Sequence, residues 1–179
     1  AAARNVLVVA AAGNDDDESP PRFPAGLGDL GVVAVAALDQ MLVKTDFSNY
    51  GSWISIAAPG VDVHGPTPGG GFGSAKGTSF AAPLVSGVAA LVRSACPSVS
   101  AAATRRHLLA GAMSIEALNP SYPGQLGVGS VDARGALASA LYTAPPCRCL
   151  ADFNGSGTVT VQDTFEFLFA WFDGSPLGD

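Results

Sequence analysis

Short and long apolar runs alternate along the first 142 residues, separated by glycine, proline and small polar residues. Three short runs, rich in β-branched and small residues, predict buried parallel strands: 6–14, 32–36 and 53–58. Three longer stretches predict helices: 80–92, 101–111 and 132–141. The stretch 80–92 is apolar on all sides, which predicts a central buried helix in which Gly87 lets another backbone approach closely. Together these patterns predict an α/β fold.

The composition indicates a globular domain and argues against several classes of partner. The chain has 179 residues, of which 48% are hydrophobic and 13% charged, enough for one core plus an appendage. Its net charge of −6 argues against nucleic acid or an anionic membrane as the main partner. No apolar run approaches the roughly 20 residues that span a bilayer, so no membrane span is predicted.

The most informative segment is Gly-Thr-Ser-Phe-Ala-Ala-Pro, residues 77–83, at the start of the long apolar helix. Backbone approaches closely at glycine, and a helix N-terminus favours developing negative charge, so Ser79 is a candidate nucleophile. The alternative is that the segment only caps the helix. Asn14 ends the first predicted strand, where the chain must turn sharply and an asparagine can serve as a turn-former.

Four blocks in fixed order make this segment more specific. They are Ala-Ala-Gly-Asn at 11–14, Phe-Ser-Asn-Tyr-Gly at 47–51, Ile-Ala-Ala-Pro-Gly-Val at 56–61, and the serine segment at 77–83. The set closely resembles the C-terminal half of a subtilisin-like serine protease, over about residues 4–141. Residues 127–133 resemble the segment that closes that family's domain.

The resemblance implies a subtilisin-like parallel sheet with flanking helices, present here as a partial domain, and a serine endopeptidase that forms an acyl-enzyme. Ser79 would attack the scissile carbonyl, and Asn14 with the Ser79 N–H would stabilise the oxyanion, with Thr78 close by. The resemblance also implies that Phe23–Pro24 can be cis. It assigns one wall of the specificity pocket to three small residues: Ala11, Ala12 and Gly13.

The same resemblance shows what the chain lacks. The family's triad runs Asp, His, Ser, with both partners ahead of the Ala-Ala-Gly-Asn strand. His64 and His107 both follow that strand, so we expect a surface-loop residue and a helix-face residue. The chain, which does not begin with Met, is therefore expected to be a fragment that is inactive alone. The alternative is a non-catalytic subtilase-like scaffold whose calcium-binding tail mediates attachment.

The acidic run Asp-Asp-Asp-Glu, residues 15–18, directly follows Asn14. Three interpretations are open at this point. The run borders the substrate cleft and favours basic peptides, binds calcium, or is a solvated loop.

A second module follows a Pro- and Cys-containing linker. The predicted organisation is a peptidase domain at 1–142, the linker at 143–149 and a truncated module at 150–179. Residues 152–163 have calcium-loop spacing, with Gly157 at the sixth position for the sharp bend. The predicted ligands are Asp152, Asn154, Ser156, Thr158, Thr160 and Asp163.

This small helical module resembles a dockerin-type repeat of the EF-hand kind. The resemblance implies calcium as cofactor and a cohesin-like or cell-surface partner, with affinity weakened because Ser156 replaces an acidic ligand. The alternative is an Asx-rich turn before a hydrophobic helix.

The chain has three cysteines, Cys96, Cys147 and Cys149, and their pairing is open. The Cys-x-Cys pair could be half of a metal site, but no further thiol or clustered histidine supplies the other half. Pairing with Cys96 or with a partner outside the chain is favoured. The protease resemblance and the calcium module both imply an extracellular or cell-surface location.

Overall fold

The computed structural model of the chain describes residues 4–18, 21–143 and 162. Three strands form a parallel sheet in the order β1-β2-β3: β1 Val9–Ala11, β2 Val33–Leu38 and β3 Ile56–Pro59. Two more form an antiparallel hairpin: β4 Val63–Pro66 and β5 Phe72–Ala75. The α-helices are α1 Thr78–Ala95, α2 Ala101–Ala110 and α3 Ala133–Thr143, and single 3-10 turns lie at Gly28–Leu30 and Glu116–Leu118. Thr143, predicted to begin the linker, ends α3, whereas linker residues 144–149 and the predicted calcium ligands lie outside the described residues.

The parallel sheet is the centre of the core. All six residues of β2 are buried, because both faces of the sheet are covered. Helix α1 packs against all three parallel strands, and α2 and α3 pack against α1 and each other. On the opposite face, side chains including Ile54, Ile115 and Leu126 form a second buried cluster. The predicted α/β fold with a parallel sheet is thus confirmed.

Some predicted boundaries change. The third strand begins at Ile56 rather than at residue 53, because the preceding residues turn and Ile54 N–H donates to the Gly51 carbonyl at 3.0 Å. The prediction of a loop at His64 is wrong. His64 is exposed but lies on β4, where its Nδ1 is 3.0 Å from Ser74 Oγ across the hairpin. The Phe23–Pro24 peptide bond is cis, as the resemblance implied.

Helix α1 is buried on one side only. Among its buried residues Ala81, Val85 and Val92 belong to the core, whereas Phe80, Leu84 and Leu91 are 37%, 39% and 50% exposed. The prediction of a helix buried all round is wrong for the described chain, because none of the described elements covers this outer face. Nothing lies within 4 Å of a Cβ built at Gly87, so the close approach predicted there is also absent from the described residues.

Among the described residues, α1 is the one helix long and apolar enough to cross a membrane by length and composition. It has 18 residues, which is longer than the sequence pattern suggested. Core helices pass the same test, and the packing of α1 against the sheet accounts for its apolar composition.

Cys96 closes α1. It is fully buried and disulfide-bonded. The other two cysteines of the chain lie outside the described residues.

His107 lies between α2 and α3. Its side chain is 1% exposed, with Nδ1 3.1 Å from Ser139 Oγ and with Nε2 buried without a hydrogen-bond partner among the described residues. The helix-face position predicted from the sequence is therefore a buried one. Burial, and secondarily the charge of Arg106, lower the pKa of His107 below its ordinary value of 6.5.

We expect His107 to make the chain less stable in mild acid. Its pKa is lower in the folded than in the unfolded state, so below pH 6.5 the unfolded chain takes up more protons. Stability is therefore full above pH 6.5 and falls as the pH drops toward the folded-state pKa. Thermal unfolding between about pH 7.5 and about pH 5.5 measures the change in Tm.

In His107→Gln this part of the pH dependence should disappear. The matched control is His64→Gln, which removes an exposed histidine from the hairpin. Equal slopes in wild type and His107→Gln would contradict the prediction.

Candidate active site

Ser79 is presented at the amino end of α1. Gly77 is the N-cap with φ of 141°, a conformation that L-residues with a side chain rarely adopt. Thr78 begins the helix and is buried, while Ser79 is exposed as its second residue. A Cβ on Gly77 would lie 3.2 Å from Ser79 Oγ and 3.5 Å from Asn14 Nδ2, so both atoms border the same glycine. The predicted nucleophile and the predicted oxyanion donor are thus brought together.

The orientation of Asn14 is set by Thr78. Asn14 follows β1 across two residues, and its Oδ1 accepts hydrogen bonds from Thr78 N at 2.9 Å and from Thr78 Oγ1 at 3.0 Å. Because both bonds go to the oxygen, the amide Nδ2 is left to donate elsewhere. It has no acceptor in the part of the chain that the structure describes.

The Ser79 N–H is a second candidate donor. It lies in the first turn of α1, where backbone N–H groups lack partners within the helix, and no acceptor for it is found among the described residues. The positive end of the helix dipole adds to the attraction for an anion at this point. Asn14 Nδ2 and Ser79 N can therefore serve a developing oxyanion next to the nucleophile.

The end of β1 is bonded to the start of α1. Gly13 N donates to Thr78 Oγ1 at 3.2 Å, which links two residues predicted to border the substrate. Ala11 is half-buried against the core, whereas Ala12 is fully buried. The Ala12 methyl group lies inside the second cluster, so a contribution of Ala12 to the predicted pocket wall would come from its backbone.

Ser79 has no hydrogen-bonded base among the described residues. The ring of His64 bonds to Ser74 on the hairpin, and that of His107 bonds to Ser139 of α3. Neither histidine is the partner of Ser79 in this arrangement. A serine hydroxyl without a base is a weak nucleophile.

The acidic run after Asn14 does not form a metal site. Asp15 pairs with Arg22 at 3.0 Å, Asp16 binds Lys44, and Glu18 accepts a hydrogen bond from Gln125. Because these carboxylates turn to different partners, the structure argues against the calcium interpretation of this run. No group of three or more His, Cys, Asp or Glu side chains able to hold a metal occurs in residues 4–18, 21–143 and 162.

Sequence reasoning missed a buried polar cluster behind Asn14. Lys44 Nζ lies 4.9 Å and 4.8 Å from the ring centroids of Tyr50 and Tyr122, and it donates to the Thr45 carbonyl. Asn49, also buried, bonds to the segment that carries Asn14. The Phe-Ser-Asn-Tyr-Gly block was the available signal for Asn49, whereas nothing in the pattern around Lys44 marked it as buried.

Comparisons with known proteins agree with this geometry. The chain is 41% identical over 119 residues to subtilisin Savinase of Lederbergia lenta, a match that covers 66% of the chain and 43% of the relative. It is 46% identical over 86 residues to alkaline elastase YaB of Bacillus sp. strain YaB, covering 48% of the chain and 22% of the relative. The chain thus spans less than half the length of these curated relatives.

Solved structures give the same result. A protease from Pseudoalteromonas arctica matches with a TM-score of 0.69 and 34% identity, over 77% of the chain and 44% of that protein. The prenylagaramide maturation protease PagA matches with a TM-score of 0.71 and 34% identity, over 79% of the chain and 53% of that protein. The model of the subtilase family matches residues 1–142. The serine at a helix N-terminus and the carboxamide beside it agree with this match. The chain therefore belongs to the subtilase family, the subtilisin-like serine proteases.

Proposed function

We propose that this chain is the C-terminal half of the catalytic domain of a serine endopeptidase that cleaves polypeptides through an acyl-enzyme. Ser79 is the nucleophile, and Asn14 Nδ2 with the Ser79 N–H binds the oxyanion. The observation that carries the proposal is the pair of hydrogen bonds from Thr78 to Asn14 Oδ1, which directs the Asn14 amide nitrogen to the side of Ser79.

The base and its orienting carboxylate are proposed to come from an upstream segment. Three observations support this. Both histidines have other partners, the curated relatives are more than twice as long as the matched region, and α1 leaves an apolar face open. An upstream segment that brought the histidine to Ser79 would also cover Phe80, Leu84 and Leu91. Alone, the chain is expected to be inactive.

The decisive test is labelling of the full-length parent protein with a fluorophosphonate probe, followed by peptide mapping. The probe reacts with an activated serine, so the expected result is an adduct on Ser79. The 179-residue chain alone should react far more slowly, because it lacks the base. A folded parent that stays unlabelled would favour the non-catalytic scaffold instead.

The location is proposed to be extracellular or at the cell surface. Disulfides persist in oxidising compartments, and Cys96 is disulfide-bonded. The tail is proposed to hold calcium and to attach the enzyme to a cohesin-like or cell-surface partner. The loop spacing of residues 152–163 supports this.

A calorimetric calcium titration tests the tail. One site is expected, with affinity lowered because Ser156 supplies a neutral ligand where an acidic one is usual. Asp152→Ala should abolish the heat of binding, whereas Asp62→Ala, an exposed aspartate of the peptidase domain, should leave it unchanged. A flat titration of the wild-type chain would contradict the calcium assignment.

A further inference from the structure

Asn49 contacts the backbone on both sides of Asn14. Its Nδ2 donates to the Ala12 carbonyl at 3.1 Å, while its Oδ1 accepts from Asp15 N at 2.8 Å and from Asp17 N at 3.2 Å. Its own N–H donates to the Gly13 carbonyl at 3.0 Å. One side chain thus holds the residues that precede and follow the oxyanion donor.

The site suits a carboxamide. The side chain is 1% exposed and must donate to a carbonyl and accept from two N–H groups at once. Asn can do this, whereas a carboxylate has no donor. The fit is also tight, because a Cβ on Gly13 would lie 2.4 Å from Asn49 Nδ2. The contact therefore depends on glycine immediately before Asn14.

Thr78 holds Gly13 and Asn14 from the side of α1, and the other contacts of the cluster behind Asn14 hold the far part of this loop. Asp16 N donates to the Phe47 carbonyl at 3.0 Å, and Tyr50 N donates to the Asp17 carbonyl at 3.1 Å. Lys44 binds Asp16. Of the described side chains in the cluster behind Asn14, Asn49 is the one that bonds to both Ala12 and Asp15. Without it, three backbone groups would lose their partners.

We propose that Asn49 is a positioning residue for catalysis: it fixes the backbone around Asn14 so that the Asn14 amide stays aimed at the oxyanion. This inference rests on the proposed function. A hydrogen-bond donor stabilises the transition state only when it is held in position. When the backbone that carries it becomes mobile, much of that stabilisation is lost even though the donor itself remains. Asn49 does not touch the substrate and acts through Asn14.

The test uses the full-length parent protease and a peptide substrate. Asn49→Ala is expected to lower kcat by about 10- to 100-fold with little change in KM, because the loss falls on the transition state. Asn49→Ser, whose hydroxyl can reach only some of the same groups, should fall between this variant and the wild type. If Asn49→Ala does not fold, the kcat of Asn49→Ser tests the positioning role instead.

Two comparisons separate positioning from general stability. Ser48→Ala removes an equally buried polar side chain from the same segment, one that bonds to Ala37 N and to the Asn49 carbonyl, so it should cost stability while kcat holds. In an Asn14→Ala background the donor is already gone. Asn49→Ala should then lower kcat by no more than about twofold further.

The outcomes are distinguishable from failure of the proposed function. A wild-type parent without turnover would refute that function and this role with it. Turnover in the wild type combined with wild-type kcat in Asn49→Ala and Asn49→Ser would overturn the role of Asn49 alone. An equal loss of kcat in the wild-type and Asn14→Ala backgrounds would overturn it as well.

Discussion

Replacing Ser79 by alanine in the full-length parent is expected to lower kcat by about 10⁶-fold, the loss already known for the serine of subtilisin. The physical reason is that acyl-enzyme formation needs the Oγ as nucleophile. Alanine removes only this atom from an exposed position, so the fold should hold. Active-site titration and peptide hydrolysis measure the effect, and circular dichroism checks the fold.

A neighbouring serine provides the matched control for this substitution. Ser86 lies on the same helix, and its hydroxyl donates to the Ala82 carbonyl of the preceding turn at 3.1 Å. Ser86→Ala should keep full activity. If Ser79→Ala retained more than about one part in a thousand of the wild-type kcat, another residue would be the nucleophile and the proposed mechanism would fail.

Asn14→Ala in the parent is expected to lower kcat by about 10²- to 10³-fold, the range known for loss of a side-chain oxyanion donor in subtilisin. KM should change little, because the bond to the oxyanion forms in the transition state and not with the bound substrate. Steady-state kinetics with a peptide substrate separates the two constants. Thermal unfolding reports any loss from the bonds to Thr78.

Asn14→Asp sharpens this test. Aspartate keeps an oxygen that can accept from Thr78 N and Thr78 Oγ1, but it has no amide donor and adds a negative charge. It should therefore be at least as inactive as Asn14→Ala while disturbing the Thr78 contacts less. Activity within about threefold of wild type in either variant would exclude Asn14 as an oxyanion donor.

The parts of the fold that were predictable are those with a local signature. The buried run that became β2 and the long apolar stretch that became α1 are set by residue type and period alone. Ser79 and Asn14 were identifiable because the site uses short contiguous blocks. The hydrogen bonds that bring them together, however, join Asn14 to Thr78, 64 positions apart, and only the folded chain shows them.

The features that the sequence did not predict depend on how the elements pack against one another in the folded chain. The hairpin of β4 and β5 was not predicted, because its strands alternate half-buried and exposed residues and so give no strong apolar pattern. An apolar helix reads the same whether one face or every face is covered, so the open side of α1 was not foreseeable. Burial of His107 depends on α3, which lies 32 residues away at Ser139.

The position of Cys96 fixes how far its disulfide lies from Ser79. Ser79 is the second residue of α1 and Cys96 follows its last residue, so a rise of about 1.5 Å per residue separates them by about 26 Å. Helix α1 keeps the two residues apart by that length. The disulfide at Cys96 therefore anchors α1 at the pole remote from Ser79, so the covalent tie and the candidate nucleophile lie at opposite ends of one helix.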